Sequence, residues 1–477
     1  MFRRPRPAGR RLRRTALAGA LSAALLGGAA VAVTEGGNRL PVALALPRTD
    51  VFTGERGRPA DGPGLTFLLV GLDTRKGIPA RERKRLHVGG RGCDCTDTMM
   101  LLHVSEDRRR VSVLSIPRDS YVPFARPAAG ATPLRPVPRA GKINGAYAAG
   151  GPALTVRTVE QVTGVRVDHY LEADFRRFVR AVDALGGATV CTGKPLRDRW
   201  SGLDLPAGTH RVDGRGALRY VRARHLPPSG DLGRMRRQQA FLAEAVDRIA
   251  DEGLLRDPAA LARTARALLT TLRADSGLTT ERLVTLGRAL RGLDSRRAEF
   301  ATVPLAEFDH RVPGWGSTLV WDRPRAERLF AALREDRPLT GQEAYRLPGP
   351  GVPVAWAPGD VRVRLRTGPE GAATAGRLER GLRDTGFRVR ERRPAGPRET
   401  PPETTRITYP PREERRARAL AAALPGAELH PVRGHPRVLE VRPGRDGVRV
   451  ARVVHDRSSV QGRPVTGDTL DCDRPAE

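Results

Sequence analysis

The stretch Thr66-Phe-Leu-Leu-Val-Gly-Leu-Asp-Thr-Arg75 decides how this chain is read. Thr66 to Val70 is a short apolar run, the pattern of a strand buried on both faces. It ends in Gly71-Leu-Asp73-Thr-Arg75, which sets two opposite charges just past the strand. Two more apolar runs follow, Met99 to Val104 and Val111 to Ile116, the second ending at Pro117-Arg118-Asp119. Residues 76–96 read as a polar loop, and 123–139 as a Pro-rich irregular insertion.

Helices alternate with these strands. Pro152 to Val162 reads as a helix with proline in its first turn. His169 to Glu172 is strand-like. Asp174 caps a helix whose apolar positions are Phe175, Phe178, Val179 and Val182, closed by Gly186-Gly187. Residues 213–224, 232–250 and 258–272 read as further helices. Glu299 to Leu305 and Thr318 to Trp321 read as strands, with a helix near 324–334. Alternation of this kind predicts a layered α/β/α domain with a central sheet, over residues 64–345.

Residues 346–360 are dense in Pro and Gly and read as a linker. A smaller α/β domain follows over 361–455, with an internal echo of about 45 residues. Its first half is a strand at 361–365, a helix near 371–384 and a strand at 387–389. Its second is a strand at 405–409, a helix near 412–423 and a strand at 438–441. Residues 456–477 read as a polar tail.

The start of the chain sets the compartment. Residues 1–14 hold seven arginines and no acid, and the 19 residues Thr15 to Val33 carry no charge. An apolar helix of about 20 residues spans a bilayer. The basic flank keeps the N-terminus cytoplasmic and sends the rest outside. A cleaved signal peptide is the alternative, with Ala30-Val-Ala32 as its small-residue cleavage site. Both readings export the body to the outer face of the cell membrane, with 34–63 as linker.

The chain has 477 residues and a net charge of +31, too long for one ordinary core. Of its 84 basic residues only Lys76, Lys84, Lys142 and Lys194 are lysine. That skew, spread along a chain rich in Ala, Gly and Pro, reads as codon bias rather than a nucleic-acid surface. An exported body meets no genome, so no nucleic-acid partner is expected. The charge favours phosphates or a polyanionic wall polymer. The four cysteines, Cys93, Cys95, Cys191 and Cys472, lack the spacing of a zinc site or a disulfide-dense scaffold.

Four segments gather charge at strand ends or helix starts. They contain Asp73 and Arg75; Asp97; Arg118 and Asp119; and Arg222, Arg224, Asp231, Arg234, Arg237 and Gln238. Open α/β sheets bind ligands beyond the carboxyl ends of their strands. Asp97 precedes its strand, so it fits only if that strand runs antiparallel or its loop folds back. Arginines grip phosphate oxygens in a bidentate fork, and aspartates hold Mg²⁺ against phosphates. No Walker A or Gly-x-Gly-x-x-Gly unit is present, which removes a nucleotide as the obvious donor and makes a phosphorylated lipid the natural one.

At this point the residues resemble the LytR-CpsA-Psr family of cell-wall glycopolymer transferases. The strings that carry the likeness are FLLVGLDTR, CTDTMMLLHV, VSVLSIPRDSYV, KINGAYAAGGPALTVRTVEQVTGVRVDHYLEADF, VDALGGATV, SGLDLPAGTHRVDGRGALRYVRARH and DLGRMRRQQAFL. Residues 360–450 resemble the C-terminal domain that often accompanies it, with Thr367-Gly-Pro-Glu-Gly in place of an Asn-Gly-Thr-Gly turn. The resemblance implies a membrane-anchored enzyme. It would move a glycopolymer from a polyprenyl-pyrophosphate lipid onto peptidoglycan, at the 6-hydroxyl of N-acetylmuramic acid. It implies Mg²⁺ on Asp73 and Asp97. Arg75, Arg118, Arg222, Arg224 and Arg234 would bind the pyrophosphate, with Arg237 and Gln238 in support and Lys142 and Asn144 lining the pocket. Asp231, or else Asp119, would orient or deprotonate the attacking hydroxyl. Thr96 stands where Ser is commoner. Cys191 is a candidate to bridge to Cys93 or Cys95 and pin the Asp97 loop. Two other readings stay open: a polyprenyl-pyrophosphate phosphatase, and a non-enzymatic wall-binding or regulatory protein.

Overall fold

The computed structural model describes residues 47–52, 57–75, 77–89, 92, 94–128, 130–226, 230–250, 271–290, 293–342, 351–354, 356–367, 372–394, 400–445, 449–455 and 464–470. The first domain opens with β1 (Arg48–Thr49), β2 (Leu65–Leu72), α1 (Ala80–Arg85), β3 (Thr96–Val104) and β4 (Val111–Ser115). Next come β5 (Tyr121–Pro123), β6 (Ala140–Lys142), α2 (Gly145–Thr163), β7 (His169–Asp174) and α3 (Phe175–Ala184). Then follow β8 (Ala188–Thr192), β9 (Leu196–Asp198), β10 (Leu203–Leu205), β11 (Gly208–Val212), α4 (Gly214–Arg222) and α5 (Gly230–Ala250). It continues with β12 (Arg273–Asp275), α6 (Thr280–Ala289), β13 (Ala298–Thr302), β14 (Leu305–Val312), β15 (Gly316–Trp321) and α7 (Arg323–Arg334).

One mixed sheet organises these elements, in the order β1-β12-β7-β2-β3-β4-β13-β23, where β23 is Val465–Thr466. Side chains alternate across a strand. On β2, Phe67 and Leu69 enter one core, while Leu68, Val70 and Leu72 enter the other. The first core is closed by α3, α4 and α5 through Phe178, Leu218 and Phe241. The second is closed by α2 and α7 through Val159 and Leu329. The result is an α/β/α sandwich whose central strands are covered on both faces.

Local chemistry sets the element ends. Asp174 accepts a hydrogen bond from the Arg177 backbone N–H at 2.9 Å and starts α3. Helix α2 breaks at Gly150 and Gly151 and restarts at Pro152. Gly151 has φ of 67°, a conformation that favours glycine.

Strand direction answers the question about Asp97. β3 is antiparallel to both β2 and β4, whereas β7 is parallel to β2 and β13 to β4. The end of β2, the end of β7, the end of β4 and the start of β3 therefore share one edge of the sheet.

The second domain comprises β16 (Val352–Val354), β17 (Arg362–Thr367), α8 (Ala372–Asp384), β18 (Arg388–Pro394) and β19 (Arg406–Tyr409). It continues with α9 (Glu414–Ala423), β20 (Glu428–Pro431), β21 (Leu439–Arg442) and β22 (Val453–His455). Its sheet order is β18-β17-β21-β19-β20, around a core of its own.

Several expectations meet a different structure. The 76–96 loop contains α1, which buries none of its residues and so left no apolar period to read. The parallel partner of β19 is β20, and β21 sits between the two halves, parallel to β17 and antiparallel to β19. Residues 352–354 of the linker pair with β22. Val465 and Thr466, in the stretch read as a tail, pair with Phe300 and Glu299 at the edge of the first domain's sheet.

Among the described residues no helix is long and apolar enough to cross a membrane. Thr15–Val33, the 251–270 stretch that holds most of the 258–272 helix, Cys93 and Cys472 lie outside the described residues. Cys95 and Cys191 are both disulfide-bonded, so neither is a free thiol.

Candidate functional site

The shared sheet edge collects most of the charged residues singled out from the sequence. Just past β2, Arg75 donates from Nε and Nη2 to the two oxygens of Asp73, at 2.8 and 2.9 Å. The Asp73 backbone N–H donates to the Cys95 carbonyl at 3.0 Å, which ties this turn to the segment entering β3. Asp97, at the second position of β3, is ion-paired with Arg118, which follows β4. Asp119 lies 3.0 Å from Lys142 Nζ and 3.6 Å from Arg118 Nε. The Asn144 backbone N–H donates to the Arg118 carbonyl at 3.2 Å, and its side-chain amide lies 3.6 Å from Cys95 Sγ. Three loops are thus laced together around three aspartates.

The helices supply more cations. Arg222 ends α4, donates to the His87 carbonyl at 3.2 Å and lies 4.7 Å over the Phe175 ring. Arg234 on α5 is 3 % exposed. One turn on, Gln238 donates to Thr98 Oγ1 at 3.0 Å and to the Val221 carbonyl at 3.1 Å. Burial pushes the Asp97 carboxyl up, but Arg118, Arg234 and Arg222 outweigh it and hold it below its ordinary value. Burial lowers Arg222, against the pull of Asp97 and Asp73. Arg75 is raised by its hydrogen bond to Asp73. The Asp97 carboxylate stays ionised because the arginines surround it.

Two of the candidate residues lie elsewhere, Arg237 and Arg224. Arg237 donates to the Tyr220 and Ala223 carbonyls at the end of α4. Arg224 is exposed, and its backbone N–H donates to Asp198. Asp231 falls in the first turn of α5, and its side chain lies outside the described residues.

Behind this charged edge lies a cavity between the sheet and helices α3, α4 and α5. Asp97, Arg222, Arg234 and Gln238 line it together with Leu69, Met100, Ala173, Phe175, Phe178, Leu218, Phe241 and Leu242. On α5 the lining residues Arg234, Gln238, Phe241 and Leu242 follow helical spacing. At 1.5 Å per residue the lining changes from cationic to apolar within about 12 Å. Gly71 adjoins this space, where a Cβ would come 3.1 Å from Thr98 Cβ.

Sequence reasoning missed the supports. Trp321 donates from its indole N–H to Ser120 Oγ at 2.7 Å, and that hydroxyl donates to the Pro117 carbonyl at 2.6 Å. This pair fixes the turn that presents Arg118. A buried tryptophan usually finds a partner for its N–H. Nothing in the sequence names Ser120 as that partner. Thr98, just before the apolar run Met99 to Val104, likewise carries no sequence signal of its bond to Gln238.

Comparison with known proteins bears on the same regions. Residues 48–335 match the model of the LytR_cpsA_psr family. The chain belongs to the LytR_cpsA_psr family. Residues 360–446 match a second model, the LytR cell envelope-related transcriptional attenuator, so this member carries both domains in the order described. The probable cell wall biosynthesis protein LcpB of Corynebacterium glutamicum is 36% identical over 277 residues, 58% of this chain and 62% of that protein. The polyisoprenyl-teichoic acid–peptidoglycan teichoic acid transferase TagU of Oceanobacillus iheyensis is 31% identical over 186 residues, 39% of this chain and 52% of that protein. The chain thus spans half to two thirds of the length of these curated relatives. A solved structure of a LytR-Csp2A-Psr enzyme from Actinomyces oris aligns with a TM-score of 0.44 at 21% identity, covering 61% of this LytR_cpsA_psr member and 96% of that chain.

Proposed function

We propose that this protein is a membrane-anchored phosphotransferase at the outer face of the cell membrane. It moves a glycopolymer from a polyprenyl-pyrophosphate carrier to the 6-hydroxyl of N-acetylmuramic acid in peptidoglycan. The observation that carries the reading is the joining of a cationic sheet edge to an apolar cavity through Asp97, Arg222, Arg234 and Gln238. Such a site suits a ligand with an anionic head and a long hydrocarbon tail. The relatives named for wall biosynthesis and teichoic acid transfer point the same way.

In this reading Arg75, Arg118, Arg222 and Arg234 grip the pyrophosphate oxygens and spread the charge of the transition state. The acceptor hydroxyl oxygen bonds to the phosphorus that bears the glycopolymer. The bond to the bridging oxygen breaks, and polyprenyl phosphate leaves with the electron pair. Asp231 or Asp119 takes the hydroxyl proton. Lys142, 3.0 Å from Asp119, holds that carboxylate in place.

Mg²⁺ fits the donor set. Asp73, just past β2, and Asp97, on the neighbouring β3, offer hard oxygen ligands. Among the described residues no group of three or more His, Cys, Asp or Glu could hold a metal, so the remaining ligands would be substrate phosphates and water. When bound, the ion supplies charge neutralisation at the phosphate oxygens.

The test uses labelled lipid-linked glycan with and without peptidoglycan. The expected result is label joined to peptidoglycan by a phosphodiester, lost in Asp97→Ala and Arg118→Ala variants that still melt cooperatively. Release of label at equal rates without peptidoglycan would make the protein a phosphatase. Full transfer by either variant would remove the site. A topology reporter fused after residue 60 that is active only in the cytoplasm would favour a regulator.

A further inference from the structure

The C-terminal domain carries a second gathering of basic charge that the proposed reaction does not use. Arg362 begins β17, Arg388 begins β18, Arg437 precedes β21, and Arg416 lies in the first turn of α9. β17, β18 and β21 run parallel, so their starts lie at one end of the sheet. β19 runs the other way, so its end, and α9 after it, reach the same place. The four arginines, with Gly359 and Asp360, line a concave space.

The arrangement at that end is electrostatically costly for the domain alone. Arg362 and Arg388 are register partners on adjacent strands, so their side chains leave the same face about 5 Å apart at the root. Like charges set directly opposite each other weaken strand pairing. The ion pairs described in this domain are Arg366–Glu440, Arg383–Glu379, Arg406–Glu428, Arg416–Glu413 and Arg418–Glu414. Among the described residues, none of them relieves Arg362, Arg388 or Arg437. Arg416 is held in place by Glu413 and by the Trp356 ring, 4.7 Å from its guanidinium carbon. Asp360 is the single acid of the lining, against four arginines.

We propose that this end of the C-terminal domain binds the phosphodiester groups of an anionic polymer. Guanidinium forks match phosphate oxygens bidentately and stay charged at any pH a cell wall reaches. A phosphate placed between Arg362 and Arg388 turns their repulsion into shared attraction. The site is independent of the transfer chemistry and would stand if the protein transferred nothing.

The test measures binding of a fluorescent poly(ribitol phosphate) oligomer to the full chain in detergent, at physiological ionic strength. The variant Arg362→Gln/Arg388→Gln is expected to bind about ten-fold more weakly or worse, as charge-assisted contacts are lost. Arg377→Gln/Arg380→Gln removes the same charge from exposed positions on α8, outside the cavity, and is expected to leave affinity within about two-fold. Both should melt like the parent. An unchanged affinity in the first variant, or an equal loss in both, would overturn the proposal. So would equal affinity for polygalacturonate of matched charge.

Discussion

Arg234 and Arg237 stand three residues apart on α5, yet their guanidinium groups meet different chemistry. Arg234 faces Asp97 and lines the cavity. Arg237 donates to carbonyls at the end of α4, where the helix dipole concentrates negative charge. Arg237→Ala should therefore cost about 1–3 kcal/mol of unfolding free energy, the range for charged hydrogen bonds. Its KM for the lipid donor should stay near that of the parent. Arg234→Ala should do the reverse, raising that KM by about ten-fold or more while the melt falls by less, since Arg118 and Arg222 still face Asp97. Denaturant melts and donor titrations on the pair would check this, and identical behaviour would remove the distinction. Asp97 makes a related prediction about pH. Its folded pKa is depressed, so its contribution is complete above the unfolded value of about 3.9 and fades only as pH falls through the lower folded value. If transfer fails on acidification, the Asp97 limb should lie below about pH 4. Asp97→Asn should erase that limb from the acid unfolding curve. A parent curve unchanged by the substitution would count against this.

At the scale of elements, β23 is the piece that sequence could not supply. Gly467, just after it, packs where a Cβ would stand 2.8 Å from the Ser295 carbonyl oxygen and 3.1 Å from Ala243 Cβ. Backbone cannot retreat as a flexible side chain can. Gly467→Ala should cost about 1–3 kcal/mol, as overpacking does. Hydrogen exchange should rise at Val465, Thr466, Glu299 and Phe300, the pair that closes the sheet edge. Unaltered exchange there would mean that the segment adjusts without strain. Elements with a long apolar signature were legible: β2, β3 and β4 from their runs, α3 from its cap and spacing. Two-residue strands such as β1 and β23 have no period and exist through their partners. β20, Glu-Leu-His-Pro at a sheet edge, has no buried residue and so carries no apolar signal. The candidate site was legible as a set of charged strand ends. Its floor was not, because strand direction, the Trp321–Ser120 support and the cavity walls all depend on contacts between distant segments.

Over the whole molecule, the layers explain why a cavity sits beside the charged edge. Each face of the sheet needs helices over it, and α3, α4 and α5 leave space above β2, β3 and β7 where Leu69, Met100 and Ala173 would otherwise meet them. The mouth of this space lies at the strand ends because Asp97, Arg222 and Arg234 are there. If the space houses a hydrocarbon tail, filling it should harm long-chain donors and leave the chemistry alone. Ala173 is 6 % exposed and lines the cavity, so Ala173→Leu adds carbon atoms to empty volume. Burying them should stabilise the fold by up to about 1–2 kcal/mol, or leave it unchanged if Phe178 must shift. The KM for a full-length polyprenyl donor should rise about ten-fold or more, while that for a two-isoprene donor and both kcat values stay within about three-fold. The split between chain lengths is the informative quantity. Equal loss on both donors would place the added atoms against the reacting groups. Equal retention on both would leave the cavity without a part in holding lipid.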